Sequence, residues 1–206
     1  MYSNKANTIL YLLLLGVISI YSQCKNLDCR ETIFNFEIGI KAYPDKDSIS
    51  VGDTIWLEVN EPTTLKDVQT GKIVDYSGAS NLGTAISFLK LIAVSSTDDQ
   101  MASKFRYVLI HGNEISRKDS TKYREFKFDE AGGLYRFKLG VIPKEAGVFK
   151  VFVSNAGSVV RKSDKCTKAS FQINFKSTDQ HLYLNEIILP GVSLSPGGGI
   201  YLFKVK

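Results

Sequence analysis

The chain has 206 residues, 44% of them hydrophobic and 11% aromatic, which suffices for one large domain with a buried core. Its 26 Lys and Arg against 21 Asp and Glu give a net charge of +5. That balance is weak and the basic residues are scattered, so no nucleic-acid partner is expected. The densest basic stretch, Arg117, Lys118, Lys122, Arg124 and Lys127, also holds Asp119 and Glu125 and reads as a solvated hairpin or loop.

The N-terminal segment sets the compartment. Residues 1–8 are polar with one positive charge at Lys5, Ile9 to Ile20 are almost wholly apolar, and the small Ser22 follows. This is the order of a secretory signal, which predicts a signal peptide over 1–22 and a single domain over 23–206. The apolar run is 12 residues long, shorter than the roughly 20 that a membrane-spanning helix needs. The expected location is therefore the periplasm, the outer-membrane surface or the extracellular space. Cleavage after Ser22 leaves Gln23 first, whereas cleavage one residue later makes Cys24 a lipidation candidate, the one route to membrane association.

Export favours disulfides, and the chain holds three cysteines, Cys24, Cys29 and Cys166. If lipid occupies Cys24, Cys29 and Cys166 pair and no thiol is left over. Without lipid, Cys24 can close a short loop with Cys29, or either can reach Cys166. Cys29 with Cys166 is the pairing favoured here.

In chain order, Phe34, Phe36, Ile38, Ile40 and Ala42 alternate with polar residues until Pro44, the period of a half-buried strand. Ile49 and Val51 lead into a turn at Gly52-Asp53, and Ile55, Leu57 and Val59 alternate after it. Further strands are predicted over 73–76, 85–94, 105–111, 123–128, 134–141, 148–154, 169–175 and 200–205. Gly71, Gly112-Asn113, Gly132-Gly133, Gly147, Asn155-Ala-Gly157 and Pro196-Gly-Gly-Gly199 punctuate them as turns. Strands broken this often predict an all-β sandwich or barrel. One or two helical turns are expected over 179–189, and another over 98–104.

The segment Asp47-Ser-Ile-Ser-Val-Gly-Asp-Thr-Ile-Trp56, following a cysteine and the strand ending at Tyr43-Pro44, resembles the opening of immunoglobulin-like β-sandwich domains of envelope proteins. More narrowly the chain resembles uncharacterised exported proteins of Bacteroidota, whose last strand is similar to Tyr201-Leu-Phe-Lys-Val205. The resemblance implies an immunoglobulin-like antiparallel β-sandwich with an inserted loop region and one short helix. It implies compartment and fold, and no functional residues carry over.

Catalytic signatures are sparse. The two histidines, His111 and His181, lie far apart with no Gly-x-Ser-x-Gly or His-Glu-x-x-His motif near either. Asp98-Asp99 and Asp129-Glu130 are sequence neighbours in predicted turns, where adjacent side chains point apart, so neither makes an acid and base couple. Gly197-Gly198-Gly199 precedes a strand and lacks the following Lys-Ser/Thr of a phosphate loop. No metal, cofactor or catalytic residue is expected. Trp56 reads as a core or sheet-face residue, with a sugar-stacking platform as its functional reading. The tyrosines and the loop from Thr63 to Leu82 read equally as sheet structure or as a recognition surface. The chain is thus expected to be a non-catalytic envelope or secreted module binding a protein or glycan through loops or edge strands. The alternatives are a lipid-anchored accessory subunit of an envelope assembly, and a hydrolase with a dispersed site around His111 or His181.

Overall fold

Alternation of apolar and polar residues builds the first sheet. The computed structural model describes residues 31–92, 96–98, 101–115, 120–176 and 179–206. In β1 (Thr32–Tyr43), Phe36, Ile38, Ile40 and Ala42 are buried, and in β3 (Ile55–Pro62) so are Ile55, Leu57 and Val59. The same pattern buries Tyr135, Phe137, Leu139 and Val141 in β13 (Leu134–Pro143), and Ala169, Phe171, Ile173 and Phe175 in β16 (Thr167–Phe175). Successive side chains of a strand point to opposite faces, so each strand has one apolar face to hide. With β6 (Ala79–Ser80), β12 (Asp129–Ala131) and β15 (Ala156–Arg161), the order is β12-β13-β3-β1-β16-β15-β6, and β9 (Phe105–His111) also pairs with β13.

The second sheet has the order β10-β11-β7-β14-β17-β2, with β8 (Ser96–Asp98) beside β7. Its strands are β2 (Ser48–Ile49), β7 (Gly83–Ile92), β10 (Asn113–Glu114), β11 (Tyr123–Lys127), β14 (Gly147–Val153) and β17 (Ile200–Val205). A small hairpin of β4 (Thr64–Lys66) and β5 (Ile73–Asp75) stands apart from both sheets. The protein is all-β, with one short helix, α1 (Tyr183–Ile188), among the described residues. Residues Ile33–Lys206 cluster as one compact unit.

Both sheets share one aromatic core. Phe105 starts β9 in the first sheet, yet its ring stacks 4.2 Å from Phe88 and meets Phe149 at 5.1 Å, both in the second. Elsewhere in the core Phe171 is fully buried against Phe36 and Tyr76, at 5.3 and 5.6 Å. Truncating such a phenylalanine to alanine costs about 3–5 kcal/mol. Part of the outer face of the second sheet is covered, because Leu184 of α1 packs with Leu91, Val148 and Leu202.

The structure refines several expectations. The two short strands expected around Gly52-Asp53 are β2 and β3, and β2 finds its partner in β17, in parallel. The segment Thr63 to Leu82 is structural in part: it forms β4 and β5, Leu65, Tyr76 and Leu82 are buried and the Tyr76 hydroxyl donates to the carbonyls of Val159 and Thr167, while Val68 and Ile73 are exposed. Asp129-Glu130 belongs to strand β12, and Ala156-Gly157 opens β15, with a register irregularity between Ala156 and Val159 absorbing the turn-like residues. The predicted signal over 1–22, together with Cys24 and Cys29, lies outside the described residues. Among the described residues no helix is long and apolar enough to cross a membrane.

Candidate binding face on the first sheet

Trp56 stands on the opposite side of β3 from Ile55, Leu57 and Val59, half-buried on the outer face of the first sheet. The register places it beside Tyr43 of β1 on one flank and Gly140 of β13 on the other. Beyond Gly140 comes Val108 of β9, which is exposed. The indole lies across Gly140: a Cβ there would stand 3.0 Å from Trp56 Cζ3 and 3.2 Å from Cη2. Glycine at this position lets a flat aromatic surface lie close to the sheet.

The next row along the same face runs from Lys41 through Glu58 to Lys138. The Lys138 ammonium reaches back over β3, 5.4 Å from the Trp56 ring centre and 5.5 Å from that of Tyr43. It also pairs with Glu58 at 3.5 Å. A hydrogen bond with the Tyr43 hydroxyl, then the Glu58 carboxylate, hold Lys138 above the ordinary lysine pKa, so it stays charged at every physiological pH. Lys138 thus straps the two rings together by cation–π contact.

One row further on, Asn60 of β3 faces Arg136 of β13. Paired positions of β1 and β3 cover Lys41 to Tyr43, and Gly39 turns its N–H to the Glu61 side chain at 3.3 Å. A shallow groove of about 210 Å³ opens there, lined by Gly39, Lys41, Glu58, Asn60 and Glu61. The face therefore runs from aromatic (Tyr43, Trp56) through charged (Lys41, Glu58, Lys138) to polar (Asn60, Arg136). It offers a stacking surface beside a groove of hydrogen-bonding groups, which suits an amphipathic ligand.

The other candidate residues are occupied structurally. His111 ends β9, exposed. His181 is buried: its Nδ1 lies 3.1 Å from the Leu202 carbonyl, and its Nε2 lies 3.7 Å from Asp45 Oδ1. Asp179 accepts the His181 backbone N–H, so a histidine and two acids do come together. Both ring nitrogens face groups of the chain itself, and the ring packs 5.5 Å from Tyr201, as a pin between two segments. Asp129 accepts from Gly112 N–H and Asn113 Nδ2, while Glu130 accepts Gly78 N–H with both oxygens. The neighbouring carboxylates thus anchor different loops and do not face each other. Asp98 lies in β8 and Asp99 outside the described residues.

At the glycine run, the Gly199 carbonyl accepts Val153 N–H and the Gly198 carbonyl accepts Phe175 N–H. A Cβ at Gly199 would come 2.4 Å from the Val153 carbonyl, so close approach of two backbones requires glycine there. Cys166 is half-buried before β16, its N–H donated to Asp164. Among the described residues no three His, Cys, Asp or Glu side chains are grouped to hold a metal.

The face was missed in part because its floor, Gly140, and its strap, Lys138, lie far from Trp56 in sequence. The alternation around Trp56 was the available signal. In comparison with known proteins, no protein family, no curated protein and no solved structure matches the chain.

Proposed function

We propose that the chain is a non-catalytic, exported binding module that holds a glycan on the outer face of its first sheet. The observation that carries this reading is Trp56, laid flat over Gly140 next to Tyr43 and beside a polar groove. Sugar rings have an apolar C–H face with polar rims, and a flat indole flanked by hydrogen-bonding side chains complements both. The ligand lies on a sheet face, because Tyr43, Trp56 and the adjoining groove all belong to the outer face of the first sheet. We read the two-sheet arrangement as an immunoglobulin-like sandwich, the signal over 1–22 as cleaved, and Cys29 with Cys166 as the disulfide.

The test is retention of the purified protein on a panel of soluble and cell-wall glycans, with wild type compared against Trp56→Ala. Retention lost in the variant, without turnover of the bound glycan, supports the reading. Retention equal in both, or release of cleaved sugar, contradicts it.

A second reading is favoured by a specific observation. Val108 and Ile110 are 38% and 52% exposed on β9, adjoining the same face. A lipid-anchored subunit would use them to dock a protein of the envelope assembly. Substituting Ile110 with Lys would then abolish co-purification of that partner while sparing glycan retention.

A further inference from the structure

We infer that Lys150 is a modification site, a nucleophilic amine on the outer face of the second sheet that captures an apolar aldehyde as an imine. The inference is independent of the glycan reading, which concerns the other sheet. Phe149, Val151 and Val153 of β14 point into the shared core, so the pleat turns Val148, Lys150 and Phe152 to the opposite face. Val148 packs there with Leu91, Leu184 and Leu202, which marks that face as the one under α1. Lys150 is 9% exposed, and its cross-strand neighbours are Leu89 on β7 and Leu202 on β17. Along the same face the diagonal positions are Ser87 and Leu91 on β7, and Ile200 and Lys204 on β17. No carboxylate stands opposite Lys150 or on a diagonal.

An ammonium so placed normally has a counter-ion, because an unpaired charge taken out of water is costly. Among the described residues no hydrogen bond or ion pair engages this one, and it faces the Phe152 ring, 5.7 Å from the centre. The unpartnered atoms shut off from solvent are Ser48 Oγ, Arg136 Nε and Asn185 Oδ1 among the described residues, and Lys150 Nζ is not one of them. The apolar stem is therefore covered while the nitrogen keeps an opening. Burial holds the amine below the ordinary lysine pKa, and no charged group counters it. A lysine desolvated among apolar side chains is an activated nucleophile, since the free amine carries the reactive lone pair.

That lone pair attacks the carbonyl carbon, forming the C–N bond while the C=O π pair moves to oxygen. A proton passes from nitrogen to that oxygen and gives the carbinolamine. Loss of the hydroxyl together with the second nitrogen proton, as water, leaves the C=N bond. No oxidant or reductant enters. The product no longer carries the ammonium charge that the apolar surroundings disfavour, a gain that an exposed lysine does not share. Leu89, Leu202 and Phe152 offer no hydrogen-bonding side chain to a hydroxylated ligand, so the aldehyde that fits carries an alkyl or aryl body.

The experiment incubates the full mature protein at neutral pH with hexanal or with glyceraldehyde, adding cyanoborohydride to reduce any imine to a stable secondary amine. Peptide mass mapping gives the rate at each lysine, with the exposed Lys46, Lys72 and Lys162 as references. Lys150 should take hexanal at least about tenfold faster than the references, one decade in rate. Its preference for hexanal over glyceraldehyde should exceed theirs, and both differences should vanish in urea. The comparison is made within wild type and so needs no variant to fold. Lys150→Met, checked for folding by thermal melting, should lose the fast site. Labelling of Lys150 no faster than the references overturns the inference. A preference for hexanal no greater than theirs overturns the apolar class of the aldehyde, and a fast site that survives in Lys150→Met overturns the assignment to this residue.

Discussion

Replacing Gly140 with alanine probes the packing that makes the face flat. The added methyl would sit 3.0 Å from Trp56 Cζ3 and from Thr54 Cγ2, and 3.2 Å from Trp56 Cη2. Carbon atoms pack best at about 3.5–4.0 Å, so the indole must lift by about half an ångström. Overpacking of this kind costs about 1–3 kcal/mol. The lower end applies here, because Trp56 is on the outer face and can tilt toward solvent, whereas a core ring cannot. For a domain of this size that is a fall in Tm of about 2–4 °C. Gly157→Ala is the matched control: nothing lies within 4 Å of its Cβ, and its backbone is outside the left-handed region. That change should be neutral or raise stability by about 0.4–1 kcal/mol through the unfolded chain. Urea unfolding followed by Trp56 emission reads both effects at once. If Gly140→Ala is as stable as Gly157→Ala and its emission spectrum is unchanged, the indole does not lie on Gly140 and the platform is misdrawn.

Tyr76→Phe should cost about 1–3 kcal/mol, since its buried hydroxyl donates to the Val159 carbonyl at 2.7 Å and the Thr167 carbonyl at 3.2 Å. Tyr183→Phe, at an exposed phenol bonded to Asp47, should change stability by less than about 0.5 kcal/mol in the same denaturation assay. Burial pushes the Tyr76 phenol up to about 12 and those of Tyr107, Tyr135 and Tyr201 up as well. The folded state therefore favours the neutral phenols, and that contribution is intact below the ordinary phenol value of about 10. It is lost as pH rises from there through about 12, so tyrosinate absorbance and loss of circular dichroism should rise together in alkali. Titration of every tyrosine near 10 with the fold intact would contradict this. For the proposed disulfide, Cys29→Ser and Cys166→Ser should each lose about 4–5 kcal/mol by the chain-entropy estimate, with no further loss in the double variant. Cys24→Ser should match wild type, and a loss equal to that of Cys166→Ser would reassign the bridge.

The long strands were legible because each buries one whole face. Phe36, Ile38 and Ile40, or Tyr135, Phe137 and Leu139, advertise themselves by alternation alone. Strands such as β4, β6, β10 and β12 are too short to show a period, and their pairing is imposed by neighbours. The start of β15 reads as a turn because Gly157 and Ser158 are turn residues, and Ser158 does take a positive φ of 53° at the irregularity. Tyr76 looked like a candidate recognition residue because its burial depends on carbonyls of β15 and β16 much later in the chain.

The candidate face divides the same way. That Trp56 points away from Ile55 and Leu57 follows from the pleat, and the alternation already contained that fact. Its flanking residues suggested burial because they are apolar, although flanking residues in a strand belong to the other face. The rest required three-dimensional pairing: Gly140 as floor and Lys138 as strap. Neither residue has a motif, and each gains its role only when β13 pairs with β3.

Collisional quenching of the single tryptophan by acrylamide, measured with and without a retained glycan, addresses the site most directly. In the free protein the half-buried indole should quench readily. With glycan bound, the account predicts clear protection of Trp56, abolished when competing free oligosaccharide displaces the polymer. If the glycan is retained and Trp56 quenches as before, binding takes place elsewhere on the molecule and the outer face of the first sheet is not the site.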